Sequence, residues 1–254
     1  MPYLPEIDYP EFERAKLIEL DKLFQEWDSR TKEIELPEGY TAESMVFDGF
    51  YPYYTKQKEK ILFIGRESRE ISGCNYIQVL FNAYKNKRIG NQHINVSLFH
   101  RRMFYIAYGI NNGFPKWQDI PYADRMTDTF GTEKGISFSF MNISKFSNDS
   151  DSWQSNWDLI EASYKLGMRS LIEREIEILE PDIIISMNIG DKIHSFGEVN
   201  EFKRTDQVNS YILNNVTKKN VLLLDTFHFA AWAKDDIDDF YTPIIEAIKA
   251  HKKN

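Results

Sequence analysis

Three polar residues of the types that hydrolytic enzymes use stand at the ends of apolar stretches of this sequence. Glu67 comes two residues after a short apolar stretch closed by Gly65, Asn142 ends an alternating stretch, and His228 follows a third stretch at residues 221–224. A carboxylate can orient a water molecule and stabilise a cationic sugar, and an amide can form two hydrogen bonds with the edge of a base. An imidazole can donate to an oxygen that becomes negative as a leaving group departs. These groups therefore suit cleavage of a bond to a nitrogen heterocycle.

These side chains must be positioned by the strands that the apolar stretches predict. Short apolar runs of this kind are typical of buried strands, and they occur at residues 61–64, 136–142, 182–187 and 221–225. Because helical patterns separate them, the sequence predicts an α/β fold, a three-layer α/β/α sandwich with a central, mainly parallel sheet of about four strands. Residues 211–213 predict an additional edge strand. The carboxyl ends of parallel strands share one edge of a sheet, so we expect the three side chains to converge on one crevice.

Helices are predicted where apolar residues recur at helical spacing, at residues 10–28, 76–84, 97–108, 157–180 and 236–251. The sequence shows no linker and no internal repeat, so we expect a single domain over residues 1–254. Within that domain, residues 1–57 form an N-terminal helical and aromatic extension. Residues from about 86 to 135 look like an insertion.

The composition restricts the class of protein and its partners. The formal net charge of −8 argues against a surface that grips nucleic acid throughout, although the basic runs at residues 85–88 and 100–102 predict either a local patch or solvated helix faces. Cys74 is the single cysteine, which excludes an internal disulfide, a cysteine-rich zinc site and a cysteine-ligated iron–sulfur cluster. The sequence lacks the pattern of a signal peptide and any membrane-spanning run. We therefore expect a cytoplasmic protein that needs no cofactor, contacts no membrane and holds no metal cluster.

Each of the three candidate residues also has a structural interpretation. Glu67 could be a solvated carboxylate after a tight turn, Asn142 a strand-end cap, and His228 a satisfied structural histidine. Their occurrence at equivalent strand ends is the observation that favours a joint site.

Four segments, in the same order along the chain, resemble the motifs of the uracil-DNA glycosylase superfamily. They are Gly65-Arg66-Glu67-Ser68 and residues 140–145, 179–190 and 224–229. That superfamily has a first motif led by Gly, a strand ending in Asn, a Leu-x-Pro-x-Ile-Ile strand followed by a Gly-containing helix start, and a last strand leading to a His-Pro-Ser loop. The resemblance covers roughly residues 58–250 and implies the sandwich fold of that superfamily.

The resemblance implies a role for each matching residue. Glu67 would position the water, Asn142 would read the base, and His228 would stabilise the departing base. Gly65 would belong to the base-binding site, and Tyr76 would stack on the base. Contacts with nucleic acid are implied for Ser68, Ser144, Lys145, Asn188 and Phe229. Three aromatic residues could act as a wedge in the DNA, with core packing as the alternative for each: Phe227, Phe229 and Trp232.

Two departures from the motifs bear on the substrate. The first motif lacks its Pro and second Gly, and the last reads His-Phe-Ala-Ala, without the backbone clamp and phosphate-binding hydroxyl of His-Pro-Ser. One hypothesis is a DNA glycosylase that hydrolyses the N-glycosidic bond of a deaminated or damaged base, with uracil as the default. The alternative is a catalytically inactive module of the same fold that binds a nucleobase, a nucleotide or nucleic acid. A different hydrolase or a flavodoxin-like nucleotide binder is disfavoured, because the sequence has no Gly-x-Gly-x-x-Gly, phosphate loop or nucleophile elbow.

Overall fold

A mixed sheet of seven strands forms the centre of the protein. A computed structural model describes residues 3–152, 154–165 and 169–253. The strands of the sheet, in spatial order, are β1 (Gly49–Phe50), β5 (Ser139–Asn142), β2 (Ile61–Gly65), β6 (Ile183–Met187), β9 (Val221–Thr226), β8 (Val208–Asn214) and β7 (Glu198–Arg204). A separate two-stranded hairpin consists of β3 (Arg88–Ile89) and β4 (Gln92–His93).

Strands β5, β2, β6 and β9 run parallel to one another, and the remaining three strands are antiparallel to their neighbours. The predicted α/β class is therefore confirmed, whereas the predicted count of about four strands is wrong. Residues 211–213 lie in β8, which pairs on both sides, so the prediction of an edge strand there is also wrong. The edge strand is β7, whose mostly exposed, polar residues gave no apolar run.

Seven α-helices accompany the strands in the described part of the chain. They are α1 (Arg14–Thr31), α2 (Tyr76–Lys85), α3 (Leu98–Asn111), α4 (Ala123–Met126), α5 (Trp157–Ala162), α6 (Arg169–Leu179) and α7 (Thr242–His251). A π-helical segment, Asp236–Tyr241, leads into α7. The predicted helix over residues 157–180 is two helices, and residues 166–168 between them lie outside the described residues.

Alternate side chains of β2 enter two separate apolar clusters, because successive residues of a strand point to opposite faces. Ile61 and Phe63 belong to a cluster that includes residues of α2, α3 and α7. Leu62 and Ile64 belong to a cluster that includes residues of α1, α5 and α6. Helices therefore pack on both faces of the sheet, and the sheet edge at the strand ends is left for polar residues.

The described part of the predicted N-terminal extension, residues 3–57, is built into this arrangement. Helix α1 buries Leu23, Phe24 and Trp27 in the same cluster as α6, and β1 pairs with β5. Among the described residues, none of the helices combines the length and hydropathy that a membrane span needs. The expected cytoplasmic location stays a prediction.

Candidate active site at the carboxyl edge of the sheet

The three predicted catalytic and base-reading residues follow parallel strands at one edge of the sheet. Gly65, at the end of β2, lies opposite Asn142, at the end of β5, and His228 follows β9, two strands away from β2. A Cβ atom at residue 65 would lie 2.5 Å from Asn142 Oδ1 and 3.1 Å from the ring of Phe140. The first distance is shorter than real Cβ contacts and the second is tight, so glycine lets the Asn142 amide lie against the end of β2 without displacement.

Glu67 has one carboxylate oxygen bound and one without a partner. Its Oε1 accepts a hydrogen bond of 3.2 Å from the backbone N–H of Asn156, the N-cap residue of α5. Its Oε2 and the neighbouring Ser68 Oγ are buried, and neither has a hydrogen-bond partner in the described residues. Buried polar atoms are normally paired with protein or ordered water. We therefore expect a water molecule or a ligand atom beside these residues.

Asn142 is 2% exposed and is held through its backbone. Its backbone N–H donates to Asp48 Oδ2 at 2.7 Å. Its side-chain Nδ2 is buried and donates to no described residue. An amide donor that is fixed in place and unpaired suits a carbonyl oxygen of a bound molecule.

His228 is partly buried and uncharged at neutral pH. The backbone N–H of Ala230 donates to its Nδ1 at 3.2 Å, so the ring proton resides on Nε2. Burial, helped by the positive charge of Arg66, lowers the pKa of His228 to about 4. The ring therefore offers a neutral Nε2–H donor, which suits an oxygen that gains negative charge.

Aromatic rings lie between the Asn142 strand and the His228 loop. Tyr76 stacks on Phe140 with ring centroids 4.4 Å apart, and its ring is buried, so little of it is available to stack on a base. Phe99, near the start of α3, is partly buried, and its ring centroid lies 6.0 Å from that of Phe140 and 5.6 Å from that of His228. Phe99 is therefore an aromatic surface beside His228 that the sequence analysis did not single out.

The loop that carries His228 is fastened by a buried arginine, Arg102 of α3. Its Nη1 donates to the carbonyl oxygens of Phe229 and Ala231 at 2.6 and 3.0 Å, and its Nη2 donates to that of Lys234 at 2.7 Å. Its Nε contacts Asp236 Oδ1 at 2.7 Å. The guanidinium thus holds the backbone of residues 229–234 in place.

The basic run at residues 100–102 is not an exposed patch. Arg102 is buried, and His100 is buried with its Nδ1 2.9 Å from the hydroxyl of Tyr84. Burial lowers the pKa of His100 to about 3. Arg101 pairs with Asp236 Oδ2 at 2.5 Å. The interpretation of these three residues as a surface patch is therefore wrong for His100 and Arg102.

Arg66 connects the end of β2 to the end of β6. Its Nε and Nη2 donate to the carbonyl oxygen of Asn188 at 2.8 and 2.6 Å, and the Asn188 side chain stays exposed at this edge. Asp225, at the end of β9, accepts from Ser186 Oγ at 2.7 Å, and burial raises the pKa of its carboxyl group. These contacts fix the strand ends relative to one another.

Three of the predicted nucleic-acid contacts are wrong, because the side chains are enclosed in the protein. Lys145 has no exposed surface, and its Nζ lies 2.7 Å from both Asp48 Oδ1 and Glu175 Oε2. Ser144 is buried and donates to carbonyl oxygens of its own surroundings. Phe229 is fully buried in the apolar core. None of these side chains can reach a phosphate group.

Sequence reasoning missed Phe99, Arg102 and the pair Asp48 and Glu175. Glu175 did carry a signal, because it lies on the apolar stripe of α6, three residues after Ile172. A carboxylate on a buried helix face requires a partner. The partner could not be identified, since Lys145 and Asp48 are distant in sequence and meet only in the fold.

A scan against protein-family models finds none that matches this chain, and a search of curated proteins finds no similar sequence. Within the described residues, no group of three or more His, Cys, Asp or Glu side chains could hold a metal ion.

Proposed function

We propose that this protein hydrolyses the N-glycosidic bond of a deaminated or damaged base in DNA, as a divergent member of the uracil-DNA glycosylase superfamily with its three-layer sandwich. The observation that carries the proposal is the pair of buried, unpartnered atoms at the ends of adjacent strands, Glu67 Oε2 and Asn142 Nδ2. The neutral His228 after β9 supports it. A carboxylate oxygen, an amide donor and an imidazole donor are the groups that this reaction needs.

In the proposed reaction, a water molecule held by Glu67 Oε2 attacks C1′ of the sugar while the bond from C1′ to the base nitrogen breaks. The bonding electron pair leaves with the base, and the water gives its proton to the carboxylate. Nε2–H of His228 donates to the base oxygen that becomes negative. Asn142 Nδ2 donates to a carbonyl oxygen of the base, which favours deaminated bases because deamination replaces an amino group by a carbonyl.

Trp232 supports a nucleic-acid substrate. It lies four residues after His228 and is 86% exposed, whereas Phe229 is buried and Phe227 is partly covered by Lys234. A large exposed aromatic side chain on a loop that Arg102 holds in place is suited to enter the space that a flipped base leaves. Trp232 is therefore the wedge candidate that remains of the three.

A strand-cleavage assay tests the proposal. Labelled single- and double-stranded oligonucleotides carrying uracil, hypoxanthine, xanthine or a G·T mismatch are incubated with the protein, and alkali then cleaves at abasic sites. We expect cleavage that Glu67→Gln and His228→Ala each lower about a hundredfold. Glu201→Gln, on the exposed strand β7, is the matched control and should cleave like the original protein.

A second candidate function is a nucleobase-binding module without catalysis. It is favoured by the enclosure of Ser144 and Lys145, which removes two expected contacts with the DNA backbone. No cleavage by folded protein at high concentration, together with binding of a free base that Asn142→Ala abolishes, would identify this second function.

A further inference from the structure

One segment of this acidic protein contains no acidic residue. The chain has 39 aspartates and glutamates in 254 residues, yet residues 71–118 contain none. The same segment has six lysines and arginines: Lys85, Lys87, Arg88, Arg101, Arg102 and Lys116. Arg102 is buried and Lys87, Arg101 and Arg102 are paired with carboxylates of other segments, so the exposed charge is carried mainly by Lys85, Arg88 and Lys116. An uneven charge distribution of this kind favours an anionic partner.

This segment adjoins the candidate active site. It contains α2, the β3–β4 hairpin and α3, and Phe99 of α3 is the ring next to His228. The hairpin leads into α3 through Asn95, whose carbonyl oxygen accepts from Arg101 Nη1 at 2.9 Å. Asn95 Oδ1 also accepts from the backbone N–H of Asp124 at 2.9 Å, which places α4 beside the start of α3.

Four exposed apolar side chains belong to the elements that meet here. Val96 is 60% exposed and Tyr122 is 67% exposed. Trp232 lies in the loop that Arg102 holds, and Ile237 directly follows Asp236, the partner of Arg102. Asn95 and Asp124 are joined by a hydrogen bond. Val96 directly follows Asn95, and Tyr122 lies two residues before Asp124. We call Val96, Tyr122, Trp232 and Ile237 the aromatic rim. These side chains belong to elements that contact one another beside the crevice, and exposed apolar residues in such a place favour an interaction surface.

Cations at this surface are free to bind an anion. Arg88 and Arg125 are exposed, and neither forms an ion pair with any carboxylate in the described residues. Two nearby carboxylates are already bound, since Asp128 contacts Lys87 Nζ at 2.6 Å and Asp236 contacts Arg101 and Arg102. Asp128 and Asp236 therefore do not compete with phosphate groups for Arg88 and Arg125.

We propose that the aromatic rim, with Arg88 and Arg125, is a binding surface for single-stranded nucleic acid that leads into the crevice of Glu67, Asn142 and His228. Flat rings offer stacking to successive bases, and arginines beside them neutralise the backbone, which is the chemistry of single-strand binding. This inference rests on the proposed function for the identity of the crevice. It assigns residues 86–135, which hold the hairpin, α3 and α4, to recognition of the strand.

Fluorescence anisotropy with a labelled, undamaged single-stranded DNA oligonucleotide tests the inference independently of base release. Tyr122→Ala is expected to weaken binding about tenfold, because stacking of a base on an aromatic ring is lost. Arg88→Ala and Arg125→Ala are each expected to lower the slope of log affinity against log salt by about 0.7, the value for one phosphate contact on a single strand. Phe202→Ala and Lys218→Ala, on β7 and the β8–β9 turn, are the controls and should bind like the original protein.

Three outcomes would overturn the inference. They are no binding of the oligonucleotide, unchanged binding by Tyr122→Ala, Arg88→Ala and Arg125→Ala, and equal or tighter binding of the same sequence as a duplex. Single-stranded RNA that binds and shows the same loss with Tyr122→Ala would support it, since RNA offers the same bases and phosphates. This binding assay does not depend on base release. Binding that depends on Tyr122 without any base release would therefore reject the proposed reaction and leave the binding surface intact.

Discussion

Two neighbouring residues, Asp48 and Gly65, determine the position of Asn142. Its backbone N–H is fixed by Asp48 and its side chain lies against the glycine that ends β2, so the unpaired Nδ2 has a defined position. A ligand that satisfies Nδ2 gains a hydrogen bond without the entropic cost of ordering the amide. The proposed base reading by Asn142 therefore depends on a residue without a side chain at position 65.

Gly65→Ala is expected to displace the Asn142 amide and to reduce activity or base affinity strongly, while overpacking lowers the free energy of unfolding by about 1–3 kcal/mol. The matched measurement is a double-mutant cycle with Asn142→Ala. If Gly65 acts through Asn142, Gly65→Ala should have little further effect on base affinity in the Asn142→Ala background. Equal effects in both backgrounds would show that Gly65 acts in another way.

His228 gains its uncharged state from burial first and from Arg66 second. An NMR titration should give a pKa of about 4 for His228, and Arg66→Gln should raise that pKa without bringing it to the ordinary value of 6.5. His228 binds its proton at a higher pH in the unfolded chain than in the folded protein, because its pKa is lowered only by folding. The contribution of His228 to stability is therefore complete above pH 6.5 and is lost as the pH falls toward 4. A titration midpoint near 6.5 would contradict the burial of this ring.

At the scale of elements, α3 determines how the His228 loop is held. Arg102→Lys removes the forked donors that bind three carbonyl oxygens, and we expect a loss of about 2 kcal/mol in the free energy of unfolding. Because the loop loosens, the pKa of His228 should rise toward that of an exposed histidine. Arg101→Lys is the control, since Arg101 contacts Asp236 but none of those carbonyl oxygens. Equal His228 titrations in the two variants would show that Arg102 does not position the loop.

A second contact between elements lies beneath Asn142, where Lys145 joins Asp48 to Glu175 of α6. Burial beside the negative charge of Asp48 raises the pKa of Glu175 well above its usual range. Lys145→Met should cost about 3–5 kcal/mol in urea unfolding, because it leaves the buried Asp48 carboxylate unpaired. Glu175→Gln keeps the shape of the side chain and leaves Lys145 paired with Asp48, so it should cost much less. Similar losses in the two variants would show that Lys145 needs Glu175 as much as it needs Asp48.

The positions of the central strands were predictable from the sequence, whereas the buried contacts that hold their ends in place were not. Continuous apolar runs gave β2, β6 and β9 within about one residue, since burial on both faces leaves an unambiguous pattern. Strand β7 gave no such pattern because its side chains face solvent. Lys145 appeared as a surface cation because its two carboxylate partners come from distant parts of the chain. The spacing of residues in a sequence predicts contacts between nearby residues well and contacts between distant residues poorly.

Across the whole molecule, the one long segment without acidic residues in the sequence includes a neighbour of the candidate site, Phe99. The net charge is −8, yet the acid-free segment at residues 71–118 lies beside the edge that carries Asn142 and His228. The acidic remainder of the surface repels nucleic acid at most other places. A strand that approaches the protein is therefore expected to bind next to the crevice, and its association rate should fall as salt is added.

The measurement that tests the central claim most directly is detection of the released base and of the abasic site that it leaves. An oligonucleotide with one deaminated base is incubated with the protein, and both products are analysed by mass spectrometry. Hydrolysis through Glu67, Asn142 and His228 predicts free base and abasic oligonucleotide in equal amounts, with both signals lowered about a hundredfold in Glu67→Gln. Intact oligonucleotides for every base tested, with folded protein in excess, would contradict the account.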